Sequence, residues 1–295
     1  PGLENAAGAA RRCGLEEAGV RAGAALGDFG AGAERLNPHG RLVPGFPLAR
    51  AVHACDGIIN LPKMKTHQLT RITGAVKNLF GCIPGKRKAA YHVQFRDVAE
   101  FCALLVELNL LLRPRLHVLD GVVAMQGNGP RNGDTVPMNV LALSDDPVAL
   151  DATLCRLVDL DPSYVPTNGV GEALGLGRFR EEQVRYVGDD PAAFIRHDFR
   201  LIRKPVYGNA SYAYYPWIKA LVLPRPAIDP ARCSHCGECV RACPVPEKAV
   251  RNGRREEAPR YDYDLCIRCY CCQEMCRHGA IRRETPLLGK LLKLA

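Results

Sequence analysis

No stretch of this 295-residue chain stays apolar for the eighteen or so residues that a bilayer span requires. The longest candidate, FCALLVELNLLL (101–112), is interrupted by Glu107 and Asn109 and predicts a buried amphipathic helix. Several common small-molecule motifs are missing as well. GCIPGKRK (81–88) lacks both the four residues between glycines and the Ser or Thr after lysine that a phosphate loop needs. GNGPRNG (127–133) carries a proline and leads into a strand, so it is a poor dinucleotide fingerprint. There is no G-x-S-x-G elbow. The chain carries a net charge of +9 but no nucleic-acid recognition module, and its basic residues are spread rather than gathered, so no nucleic-acid partner is expected. It also begins PGLENAAGAARR, without an initiator Met, which suggests that the domain it opens is truncated at its N-terminus.

Cysteine, by contrast, is abundant. Nine of the fourteen cysteines lie between 233 and 276. Five of them crowd into CIRCYCCQEMC (266–276), one more than a single metal centre would take. IDPARCSHCGECVRACP (228–244) superposes on YDYDLCIRCYCCQEMCR (261–277) with a shift of 33 residues. The shift carries Cys233, Cys236, Cys239 and Cys243 onto Cys266, Cys269, Cys272 and Cys276, and Asp229 onto Asp262. Cys271 has no counterpart and is therefore the spare, read as a packed bystander, with a reactive thiol or alternate ligand as the other readings.

Each half reads C-x2-C-x2-C-x3-C. Three cysteines at intervals of three wrap one corner of a cube, while the fourth has entered a helix and reaches the other cluster. One [4Fe–4S] cluster is thus expected on Cys233, Cys236, Cys239 and Cys276, and a second on Cys266, Cys269, Cys272 and Cys243. A zinc ribbon would need only two C-x2-C pairs at longer separation. Pro244 follows the first quartet as this pattern expects, whereas Arg277 replaces the second proline and sets a positive charge beside the cluster. Two bound clusters would also draw off about four units of the chain's positive charge. The segment is too small and polar to fold on burial alone, so metal is expected to supply much of its folding free energy. Cys13, Cys55, Cys82, Cys102 and Cys155 are scattered, mostly in apolar surroundings, and read as inert core thiols. Both groups fit a reducing, cytoplasmic compartment.

Ahead of the cysteines, strand and helix patterns alternate. Ile58–Leu61 reads as a strand, 69–81 and 93–112 as helices, 115–125 and 138–144 as strands, and 146–160 as a helix. This predicts an α/β domain, a layered mixed or parallel sheet covered by helices on both faces. Ligands of such sheets bind beyond the carboxyl ends of the strands. Lys63, Lys65, Thr66 and His67 follow the first strand, Lys77 and Asn78 lie on the next helix, and Lys86, Lys88 and His92 come after it. Asp120 opens the glycine-rich AMQGNGPRNGD loop (124–134), and Asp151 follows the third strand. Taken singly, these are solvated lysines, a hydrogen-bonding histidine and ordinary turns. Taken together, they outline a rim for an anionic ligand or a metal.

PKMKTH, GAVKNLFG, KAAYH, LDGVVAMQGNGP and DPVALDA, in this order before a double-cluster module, resemble the iron–sulfur proteins of the domain of unknown function 362 family. The likeness covers most of 1–190, and 229–284 resembles a bacterial-type ferredoxin, a small α+β domain. The resemblance implies recurrent polar positions at Lys63, Lys65, Thr66, His67, Lys77, Asn78, Asp120, Asn128 and Asp151. It implies a redox role without naming a substrate. Relatives begin with a further strand–helix region that has no match here.

The domain organisation that follows is an α/β domain at 1–195, a packed Pro- and aromatic-rich linker at 196–228, the cluster domain at 229–285 and a tail at 286–295. Two functions are open. One is a redox enzyme in which Lys63, Lys65, Thr66, Asn78 and Asn128 bind an anionic small molecule or metal, with His67, His92, Lys77, Asp120 and Asp151 in catalytic roles. The other is a non-catalytic electron carrier, or a docking subunit of a larger complex. Both require a soluble electron donor or acceptor protein. A minor third reading, cluster assembly or sensing, rests on Cys271 and Arg277 making one cluster labile.

Overall fold

The computed structural model describes residues 6–30, 32–85, 87–206, 220–254 and 257–292. Helices α1 (Ala6–Arg12) and α2 (Leu15–Arg21), the antiparallel pair β1 (Gly32–Leu36) and β2 (Gly45–Ala49), and α3 (Arg50–His53) precede the main sheet. The organising element of that sheet is the strand β6 (Leu116–Gln126), which pairs antiparallel along its length with β7 (Asp134–Ser144). The opposite edge of β6 is shared by β3 (Ile59–Asn60) and β4 (Lys63–His67), both parallel to it. Leu61 and Pro62 separate these two short strands, where proline removes a ladder donor. β5 (Arg71–Thr73) closes the sheet antiparallel to β4. The mixed, parallel-containing sheet agrees with the expected class.

Alternation along the strands sorts the two faces. Met64, Leu119, Ala124, Val136, Met138 and Val140 turn inward and pack on α7 (Pro147–Leu157) through Leu150, Leu154 and Leu157. Burying each such Leu is worth about 1.5–3 kcal/mol. α7 is opened by Asp146, whose carboxylate accepts from the N–H groups of Val148 and Ala149 at 2.8 and 2.9 Å. The opposite face is not covered as expected. Among the described residues, Ile59, Leu61, Leu141 and Leu143 remain 61–67% exposed there.

Two expected helices have different limits. The stretch 69–81 begins as β5, because Ile72 and Thr73 pair with β4; only after Gly74 does it turn into α4 (Ala75–Asn78) and a 3₁₀ turn at Leu79–Cys82. The stretch 93–112 divides at Asp97, which caps Ala99 N at 2.8 Å. Val93 and Gln94 end α5 (Arg87–Gln94), and α6 runs Val98–Leu112 to a left-handed Arg113 before Pro114. α6 is buried on nearly every side, with Phe101, Leu104, Leu105 and Leu108 in a second core against Phe46, Leu48 and Phe80. Its Glu107 and Asn109 are buried too, and each has a partner. Glu107 accepts from the N–H groups of Arg41 and Leu42, and Asn109 Nδ2 donates to Val76 O.

The C-terminal module repeats in structure as it does in sequence. β8 (Arg225–Ile228) pairs with β11 (Ile281–Glu284), and β9 (Val250–Arg251) with β10 (Arg260–Tyr261), all antiparallel. The first strand of each half thus pairs with the last strand of the other. Of the scattered thiols, Cys102 and Cys155 are buried as expected, but Cys13 and Cys55 are exposed and Cys82 is half-buried, so the core assignment fails for these three. Within the expected linker, residues 207–219 lie outside the described residues, as does Lys86.

Candidate functional site

The two cysteine loops share an unusual backbone. His235 and Gly237 have φ of 56° and 71°, and their repeat mates Arg268 and Tyr270 have φ of 57° and 62°. Left-handed residues two apart curl each loop so that successive N–H groups turn inward, a concavity suited to anionic groups and iron–sulfur sites. Each loop then enters a five-residue helix, Glu238–Ala242 or Cys271–Met275.

Cys233, Cys236, Cys239 and Cys276 line one hollow. Cys239 lies in the field of Cys233, Cys276 and Cys236, while Cys266 lies in that of Cys269 and Cys243, and Cys272 in that of Cys269, Cys266 and, least, Cys239 across the module. The last thiol of each half therefore joins the three of the other half. Among the described residues, no three His, Cys, Asp or Glu side chains close on a point as one ion would require. A four-iron cube holds its ligands farther apart, and the two quartets with their inward N–H groups fit such a guest. Burial pushes the Cys239 and Cys266 thiols up to about 11, so iron itself would have to displace their protons. Cys271 opens the second helix and its thiol hydrogen-bonds Cys269.

A second constellation lies where the α/β domain meets that helix. His67, at the end of β4, accepts at Nδ1 from the N–H groups of Leu69 and Thr70 at 3.1 and 3.3 Å. Its Nε2 must then carry the proton, which it donates to Glu274 Oε1 at 2.8 Å. Burial, with Lys77 adding to it, lowers the His67 pKa to about 4, so the imidazole is neutral at neutral pH. His92, stacked on Phe101 with centroids 4.3 Å apart, is likewise lowered to about 4 by burial. Burial acts to raise the Glu274 carboxyl, but His67 and Lys77 outweigh it and hold the group well below the usual carboxylate range. Lys65 and Lys88 are both lowered, first by burial and then by Lys77. Three lysines, two neutral imidazoles and one carboxylate thus share one electrostatic neighbourhood.

The other expected rim residues lie elsewhere. Lys63 and Asp120 form a half-exposed ion pair at 2.7 Å. Asp151 is buried and receives the N–H groups of Ala75 and Val76, capping α4; a Cβ on Gly74 would fall 2.0 Å from its Oδ1. Asp151 therefore positions the helix that carries Lys77. Asn78 Nδ2 donates to Asn60 Oδ1 at 2.8 Å, and Thr66 Oγ1 to Gly127 O at 3.1 Å. Asn128, expected at a ligand, is instead part of the seam between the modules: it donates to Ile281 O, while Gln273 Nε2 donates to its carbonyl at 3.0 Å. Asn132 donates to Cys276 O at 2.8 Å. Glu274 and Gln273 were not among the residues that the sequence singled out. The repeat held a signal for both, since they stand where the first half has Arg241 and Val240.

An α/β domain fastened to a twin-loop cysteine module defines the class, a two-part iron–sulfur protein. The domain of unknown function DUF362 matches residues 1–156, and the chain belongs to that family. A 4Fe–4S dicluster domain matches residues 225–277. The chain is also 43% identical over 130 residues to the thylakoid-associated protein sll1697 of Synechocystis sp., covering 44% of this chain and 40% of that protein. It is 34% identical over 77 residues to one of the subunits of the ferredoxin/F(420)H(2)-dependent CoB-CoM heterodisulfide reductase of Methanosarcina acetivorans, covering 23% of this chain and 45% of that relative. The chain therefore spans less than half the length of these relatives. Among the described residues, no helix is long and apolar enough to cross a membrane.

Proposed function

We propose that this chain is a redox enzyme carrying two [4Fe–4S] clusters, one on Cys233, Cys236, Cys239 and Cys276 and the other on Cys266, Cys269, Cys272 and Cys243. When bound, the clusters supply single electrons. The reading rests on one contact, His67 to Glu274, which sets the half-buried lysines of the α/β domain against the helix bearing Cys272. Lys65, Lys77 and Lys88 bind a small anion there, because three half-buried cations gathered around one carboxylate leave positive charge to be countered. His67 donates its Nε2 proton to Glu274 and so fixes that carboxylate beside the lysines, while Lys65 and Lys88, whose pKa values burial lowers, are the groups that give a proton to the reduced substrate. The compartment we propose is cytoplasmic and reducing, where the thiols of such a cysteine-rich module stay available to iron. A relative named for ferredoxin-dependent reduction supports the electron-transfer part.

A non-catalytic carrier is the second reading. It is favoured by Asp120 and Asp151, which the fold uses for an ion pair and a helix cap away from His67.

Anaerobic purification should yield about eight iron and eight sulfide per chain and a cubane resonance after dithionite. Stoichiometric zinc would sink the cluster assignment. Small-molecule analysis of the denatured protein should recover an anion, and His67→Ala should retain cluster absorbance while losing turnover on that compound. A variant that loses its clusters instead would make His67 structural.

A further inference from the structure

Electrons for the two quartets must enter from outside the chain. A cleft of about 510 Å³ lies beside the first cysteine quartet, lined by Arg200, Arg232, Arg277, His278 and Arg282. Its one lining carboxylate, Asp134, is ion-paired with Arg200. His278 also lines the hollow of Cys233, Cys236, Cys239 and Cys276, so cleft and quartet adjoin. Cys236 is the exposed member of that quartet, whereas Cys239 and Cys276 are buried. Arg232, Arg277 and Arg282 are exposed around it. The second quartet has no exposed member, and the helix that carries its Cys272 meets His67 through Glu274.

We infer that this basic cleft is the docking surface for an acidic electron-carrier protein, which delivers electrons to the first quartet. The inference rests on the clusters being redox-active, as proposed above. The chemistry of the surface selects the partner. Exposed arginines hold a single small anion weakly in salt, since charges are screened within about 8 Å at physiological ionic strength. A protein presenting several carboxylates around its own redox centre engages them together and is steered onto them. The asymmetry between the ends also assigns a direction. The partner meets the exposed quartet, and the small anion meets the buried one. In each transfer the carrier is oxidised by one electron and the chain is reduced by one, with no proton required at this surface.

The test uses the cluster-loaded chain and a reduced acidic flavodoxin as probe, following both complex formation and bleaching of cluster absorbance. Binding should weaken at least tenfold between about 50 and 500 mM salt. Arg232→Glu with Arg282→Glu should weaken it about tenfold at low salt, and the Gln pair by less, with iron content and dithionite reduction unchanged. Salt-independent association, or charge-reversed protein that binds like the parent, would overturn the proposal. Duplex DNA held at about 150 mM salt and released by the same reversal would reassign the cleft to nucleic acid and also overturn it. Failure of dithionite to reduce the parent protein would instead sink the electron-transfer reading, and this proposal with it.

Discussion

At the scale of single residues, burial decides protonation. Asp151 is the clearest case. Burial pushes its pKa up to about 7, with the N–H groups of Ala75 and Val76 pulling the other way. The folded carboxyl then binds a proton that the unfolded one, with an ordinary value of 3.8, has released. Its contribution is therefore full below about 4 and falls by up to about 1.4 kcal/mol per pH unit until about 7. Asp151→Asn should flatten the decline of thermal stability between pH 5 and 7. It should also lower stability by about 1–3 kcal/mol, because an amide leaves one buried N–H without an acceptor. Melting curves of both proteins across that range check the two effects separately. A parallel decline in the variant would place the titrating group elsewhere. The neutral state of His67 and His92 follows from the same physics, since neither imidazole has water to stabilise a positive charge.

At the scale of elements, the seam between the modules is built from one loop and one helix. The loop 127–133, too irregular to pair as a strand, offers its carbonyls and Asn side chains; the helix Cys271–Met275 answers with Gln273, and its Glu274 meets His67 on β4. Gln273 Nε2 reaches Asn128 O, Asn128 Oδ1 and Gly129 O within 3.0–3.2 Å. Gln273→Ala should weaken docking by about 1–3 kcal/mol through the buried acceptors it strands. Faster amide exchange at 127–133 with unchanged iron content is the expected signature. Equal exchange in the two proteins would show that the seam rests on other contacts. Gly129 matters here as well, because a Cβ would come 2.3 Å from Thr66 O and force the loop off β4.

At the scale of the whole molecule, three separate cores among the described residues divide the labour. Two belong to the α/β domain and the third is built around the cysteines. The third contains little besides thiols and a few aliphatic side chains, so its stability is tied to metal. Chelating iron should unfold the 225–285 segment while the α/β domain keeps its helical circular dichroism; joint loss of both signals would mean that the domains fold as one unit. The exchange of last ligands makes a second test. Cys276→Ser and Cys243→Ser should each lower iron from about eight to about four. Each loss should come from the cluster whose other three cysteines lie in the opposite half.

The cysteine repeat was legible because ligand spacing is local. Intervals of three set the loop, and one shift of 33 residues aligned both halves down to their left-handed positions. Strands β6 and β7 and helix α7 were legible for a similar reason, since side-chain period and a capping Asp act within a few residues. The gathering of lysines around His67 was not. Lys63, Lys65, Thr66 and His67 were read as following a strand but form β4 itself, and which of the suspected residues meet depends on where distant segments pack. The helix at 271–275 comes to rest on β4, so His67 finds Glu274, 207 residues away, while Asp120 and Asp151 find Lys63 and the start of α4. Chain-local chemistry was thus enough for the class and for its dicluster module. The partners of each buried charge were settled only by tertiary packing, which removes water and leaves each such group to whatever lies within hydrogen-bonding reach.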